Sequence, residues 1–180
     1  MSTETPILNE HKQSCGSASA EDKRACIMPS DSKFAAGKQE YPPMHTAEHI
    51  LNQTMVRMFE CERSRNAHIE RKKSKCDYQL PTEPTQEQIA EIETRVNDVI
   101  ARELPVTIEF CKRSEVPAEV DLGKLPADAS DTLRLVRVGD YDVCACIGAH
   151  VENTNEIGTF RIISHTWENG TLRLRFKLIK

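Results

Sequence analysis

The chain has 180 residues, 38 % hydrophobic and 29 % charged, and its 24 basic and 28 acidic side chains leave a net charge of −4. A chain of this length buries roughly 70 % of its unfolded surface and needs no disulfide staples. No apolar run approaches the ~18 residues that cross a bilayer, and the acidic balance argues against holding nucleic acid by bulk charge alone.

The seven cysteines are odd in number and irregular in spacing, and residues 1–10 carry no basic-then-apolar export signal. Together these read as reduced thiols and a cytoplasmic setting. Residues 1–40 are rich in Ser, Ala, Lys and Glu without a sustained period, which predicts a flexible tail with room for a short helix near residues 18–27. The domain proper is expected over residues 41–180.

Pro42 and Pro43 precede a run, 44–59, with Ala47, Ile50, Leu51, Met55, Met58 and Phe59 at helical period. In 75–80, Cys76, Tyr78 and Leu80 alternate as in a strand. Thr85 and Gln88 make a capping-box pattern ahead of a helix carrying Ile89, Ile92, Val96, Val99 and Ile100, which Pro105 ends. Val106, Ile108 and Phe110 alternate again. Residues 113–131 read as irregular with a short helix. Four strands are then expected, at 132–138, 141–146, 159–165 and 171–179, with Asn169-Gly170 as a hairpin turn between the last two. In the final strand Leu172, Leu174, Phe176 and Leu178 face one way and Arg173, Arg175 and Lys177 the other. The pattern predicts an α+β fold, a two-layer sandwich with helices packed on a mainly antiparallel sheet.

His45 and His49 stand four apart on the first helix, so their imidazoles lie within about 40° of one another, away from the apolar stripe. A second pair, Cys146 and His150, follows a strand, with Gly148 placed to let the chain turn. One thiolate and three imidazoles suit zinc better than magnesium or calcium. The segment His45-Thr46-Ala47-Glu48-His49 also matches the inverted zinc-peptidase signature. That class takes a third ligand from a nearby helix, whereas the downstream pair here is a strand-end Cys and His. Four protein ligands would also suit a purely structural zinc.

These residues fall in an order that resembles a known family. His45-Thr46-Ala47-Glu48-His49-Ile50-Leu51, the helix ending in Leu104-Pro105, Val136-Arg137-Val138-Gly139-Asp140-Tyr141, the Cys146 to His150 motif and Asn155-Glu156-Ile157-Gly158-Thr159-Phe160-Arg161-Ile162-Ile163 are similar to the freestanding alanyl-tRNA editing proteins. Those are relatives of the editing domain of alanyl-tRNA synthetase, itself related to one in threonyl-tRNA synthetase. The resemblance covers residues 44–180. It implies a zinc-dependent deacylase that removes a wrong amino acid, serine or glycine, from the 3′ end of alanine tRNA, with His45, His49, Cys146 and His150 as metal ligands. Ile147 and Ala149 replace the family's Gly and Thr, which predicts a more apolar pocket floor.

Zinc lowers the pKa of bound water toward ~7, so the nucleophile expected is a zinc-bound water, with Glu48 available to assist. Arg63, Arg65, Arg71, Lys72, Lys73 and Lys75 form the densest basic run, the expected contact surface for the tRNA acceptor stem. Two alternatives remain: a non-catalytic module that binds tRNA or a partner and uses zinc to fold, and a zinc hydrolase of another small ester or amide.

Overall fold

The structure, a computed structural model, describes residues 41–118, 120–122 and 130–180; the expected N-terminal tail and its short helix lie outside them. Helix α1 spans Pro42–Phe59 and takes both prolines into its first turn, where a missing N–H leaves no helical bond unmade. It ends at Glu60 in the left-handed conformation, whose N–H bonds Val56 O at 2.9 Å. Strands β1 (Asn66–His68) and β2 (Ser74–Gln79) follow, then α2 (Gln86–Ala101). The capping box opens α2 as the sequence predicts: Thr85 Oγ1 accepts from Gln88 N and Gln88 Oε1 from Thr85 N. The remaining strands are β3 (Val106–Lys112), β4 (Thr132–Val138), β5 (Asp142–Ala145), β6 (Thr159–Glu168) and β7 (Thr171–Ile179). A 3-10 turn at Arg113–Glu115 stands where a short helix was expected.

The fold is α+β, and the strands divide into two antiparallel sheets, one ordered β1-β2-β7-β6 and the other β3-β4-β5. Cys76 pairs with Leu174 and Tyr78 with Leu172 across β2 and β7, so the two apolar alternations read from the sequence meet on one face. Asn169 and Gly170 both have positive φ, 49° and 78°, as the Asn-Gly hairpin turn requires. β1 was not foreseen: three exposed residues inside a basic run carry too short a pattern to register.

The main core joins Met44, Ala47, Ile50, Leu51 and Met55 of α1 to Ile92 and Val96 of α2 and to Leu172, Leu174 and Phe176 of β7. The Phe160 and Phe176 rings pack within it at 5.0 Å between centroids. Asn97 docks α2 on β6, accepting from Phe160 N and donating to Phe160 O, each at 2.9 Å. A smaller cluster, Val120, Leu133 and Leu135, covers the other face of the three-stranded sheet. α1 is buried on its histidine side as well. Thr54 Oγ1 meets Tyr141 Oη at 2.9 Å, and His49 faces Asp142, the first residue of β5. That second contact surface turns a helix side the sequence left polar into the wall of a site.

Candidate metal centre

His45 and His49 project from successive turns of α1, and Cys146 and His150 come from the segment leaving β5. One donor atom from each lies within 4.8 Å of the others. Cys146 Sγ is 3.5 Å from both His45 Nε2 and His150 Nε2. The imidazole centroids are 4.3 Å apart for His45 and His150, 4.5 Å for His49 and His150, and 5.3 Å for His45 and His49. A tetrahedral zinc with Zn–N of ~2.0–2.1 Å and Zn–S of ~2.3 Å has ligand-to-ligand edges of roughly 3.3–3.6 Å. The two sulfur–nitrogen distances match such edges, and the donor set is the one zinc prefers, so these residues fit that metal.

Groups outside the cluster face Nδ1 of His150 and of His49. Thr46 Oγ1 donates to Pro42 O at 3.1 Å and accepts from Val151 N at 3.3 Å. It lies 3.1 Å from His150 Nδ1. With its proton on Pro42 O, the hydroxyl is placed to accept from Nδ1–H, the tautomer that a metal held at Nε2 would require. His49 Nδ1 faces Asp142 Oδ2 at 3.5 Å, an ion-pair distance that makes no hydrogen bond. Asp142 is gripped by Arg63, through Nη1 at 2.6 Å and Nη2 at 3.2 Å.

The turn that brings His150 back beside Cys146 is held by Arg134. Its Nη1 donates to Cys146 O at 2.6 Å and Gly148 O at 3.0 Å, while Cys146 N donates to Arg134 O at 3.1 Å. Gly148 is not among the glycines with positive φ, so the turn does not enter the left-handed region there. Ile147 is 79 % exposed and Ala149 is also exposed. Both lie at the surface, on either side of Gly148 between Cys146 and His150.

The electrostatics favour a thiolate. Burial pushes the Cys146 thiol up, but hydrogen bonds from His150, His45 and His49 overcome it and bring its pKa down to about 3. Burial works against charge on His49 too, yet Asp142 and Cys146 raise its pKa to about 9. His150 is shifted the other way, lowered by burial and by the neighbouring imidazoles. Asp142 stays below the usual carboxylate range: burial opposes ionisation, and the contacts with His49 and Arg63 outweigh it. Cys144, two residues from Cys146, is pushed by burial to about 11 and remains a thiol.

Glu48 is buried, and its Oε1 accepts from Asn52 Nδ2 at 2.5 Å; Asn52 Oδ1 in turn accepts from Ser64 N at 2.9 Å. The basic run divides. Arg65, Arg71, Lys72 and Lys73 are exposed, Lys75 is half-buried, and Arg63 is buried against Asp142. Arg63 therefore leaves the expected contact surface, because a buried carboxylate at the start of β5 claims it. Arg71 lies over the Tyr41 ring at 5.2 Å. Thr46, Asp142 and Arg134 were not singled out from the sequence. Asp142 had one legible signal, its place two and four residues before Cys144 and Cys146 on the same strand face.

Residues 133–174 match the threonyl and alanyl tRNA synthetase second additional domain. Over 123 residues, 68 % of this chain, it is 32 % identical to an alanine–tRNA ligase of Fervidobacterium nodosum, of which it spans 14 %. Over 130 residues, 72 % of the chain, it is 31 % identical to an alanine–tRNA ligase of a Thermoanaerobacter species, of which it spans 15 %. Over 120 residues, 67 % of the chain, it is 30 % identical to the alanyl-tRNA editing protein AlaX-L of Pyrococcus horikoshii, of which it spans 29 %.

Proposed function

We propose, on the premise that this chain belongs with the alanyl-tRNA editing proteins related to the editing domain of alanyl-tRNA synthetase, that it is a zinc-dependent deacylase of mischarged alanine tRNA. The observation that carries the reading is the convergence of His45, His49, Cys146 and His150 from two distant segments, with donor atoms inside 4.8 Å. Zinc held there would supply Lewis-acid polarisation of the ester carbonyl and a lowered pKa for water.

The chain's own residues do the rest. Cys146 enters the site already ionised, so no proton has to leave it on metal loading. Thr46 Oγ1, 3.1 Å from His150 Nδ1, is placed to orient that ring for metal binding through Nε2. Glu48, with Oε1 tied to Asn52, adds negative charge beside His49 and supports it electrostatically. The exposed cations Arg65, Arg71, Lys72 and Lys73, with half-buried Lys75, take the phosphates of the acceptor stem. The substrate class is a Ser- or Gly-charged alanine tRNA, met in the cytoplasm.

The test is multiple-turnover deacylation of Ser-, Gly- and Ala-charged alanine tRNA by the purified chain, with metal measured on the same sample. Zinc near one per chain, with loss of the Ser or Gly ester, sparing of the Ala ester, and abolition by His49→Ala, is the expected result. Zinc with every ester intact would sink the deacylase and leave a zinc-folded binding module. Cleavage of free aminoacyl esters without preference for tRNA would point to a hydrolase of other small esters.

A further inference from the structure

We propose that Arg63 and Asp142 are a positioning pair for His49, holding its imidazole so that Nε2 is presented to the metal cluster. The inference rests on the zinc reading above and goes beyond it, since neither residue belongs to the ligand set.

The geometry is continuous from the surface of the cluster inward. His49 is 2 % exposed, Asp142 4 % and Arg63 9 %. Asp142 Oδ2 faces His49 Nδ1 at 3.5 Å. That nitrogen has no hydrogen-bond partner. The carboxylate cannot swing away, because the Arg63 fork holds both of its oxygens, at 2.6 and 3.2 Å. With its amide turned to satisfy both neighbours, Gln53 also donates to Asp142 Oδ1 at 3.3 Å and accepts from Arg57 Nε at 3.2 Å. β5 thus carries the carboxylate at its first residue and leads into the thiolate ligand four residues on, with both side chains on the face that meets α1.

Metal-binding histidines commonly present their second nitrogen to a carboxylate, which fixes ring orientation and raises ligand basicity. A buried ion pair is weak evidence for stability, since well-packed apolar residues replace such pairs at little cost. The two roles therefore separate experimentally.

The test is zinc affinity of the full chain by chelator competition, with thermal unfolding and the visible spectrum of the cobalt-loaded protein recorded alongside. Asp142→Asn is expected to weaken zinc by about 10- to 100-fold and to alter the cobalt bands. Arg63→Lys keeps the charge, loses the fork, and is expected to weaken zinc less. The double variant Arg63→Met/Asp142→Leu removes the pair without stranding a charge. It is expected to unfold near the wild-type temperature while zinc affinity stays low. Wild-type affinity in the double variant, or in both Asp142→Asn and Arg63→Lys, would overturn the positioning role and leave the zinc reading intact. A wild-type chain that binds no zinc would overturn both.

Discussion

The Thr46 hydroxyl stands 3.1 Å from His150 Nδ1, joining the N-terminal part of α1 to a member of the cluster 104 positions later. The same oxygen accepts the Val151 N–H at 3.3 Å. Thr46→Val keeps the shape and removes the acceptor from both. Leaving the buried Val151 N–H and the half-buried His150 Nδ1 without this partner is expected to cost about 1–2 kcal/mol, and loss of the group that faces His150 to weaken zinc by about tenfold or more. Chelator competition and a thermal melt of the same variant check the two effects. Unchanged zinc affinity would show that Thr46 serves only the backbone.

Metal loading should release a proton, and the shifts fix its source. Cys146, near 3, is ionised across the neutral range, whereas His49, near 9, carries a proton there that zinc must displace. The sign follows: His49 binds its proton below about 9, so apparent zinc affinity rises with pH toward that value and levels above it. The expected slope is about one decade per pH unit, with about one proton released. Calorimetry in buffers of different ionisation enthalpy reads that number directly. Two protons released near neutrality would mean that Cys146 enters as a thiol.

The cluster of His45, His49, Cys146 and His150 was legible because its parts obey short periods: four residues on a helix, and a Cys-x-x-x-His at a strand end. The capping box of Thr85 and Gln88 and the Asn169-Gly170 turn were legible for the same reason, each being a local rule. What escaped was non-local. Asp142 and Arg63 are 79 positions apart, and nothing in either segment says that one answers the other. Arg63 looked like one more cation in a basic run; burial against a specific carboxylate, which only the packing of β5 on α1 creates, sets it apart. The turn at Gly148 does bring His150 back beside Cys146, and what the sequence left unsaid is that Arg134 holds it by binding two carbonyls.

Gly158 is a glycine whose conformation is needed. Its φ is +83°, and an added Cβ would lie 2.7 Å from Ile179 O at the end of β7. Backbone cannot yield there without disturbing the β6–β7 pairing that starts at Thr159 and Ile179. Gly158→Ala combines a disfavoured backbone region with a clash, so a loss of about 1–3 kcal/mol or more is expected. Denaturant unfolding gives the value. A wild-type midpoint would mean that the β7 end shifts freely to accommodate the methyl group.

The exposed and buried halves of the basic run should respond differently to the same substitution. Lys72 and Lys73 are exposed, so replacing both with Ala is expected to remove two of the proposed phosphate contacts and to leave the fold alone. Alanine tRNA binding should weaken by a similar factor whatever amino acid is attached. The slope of log affinity against log salt should fall by about 1.4–1.8, since each contact contributes roughly 0.7–0.9. Arg63→Ala should instead strand Asp142 as a buried unpaired charge and cost about 3–5 kcal/mol of stability. Filter binding over a salt series, paired with thermal melts, separates the two classes. An unchanged salt slope in the Lys72/Lys73 variant would remove this loop from the tRNA surface and send the search to the outward-facing Arg173, Arg175 and Lys177 of β7.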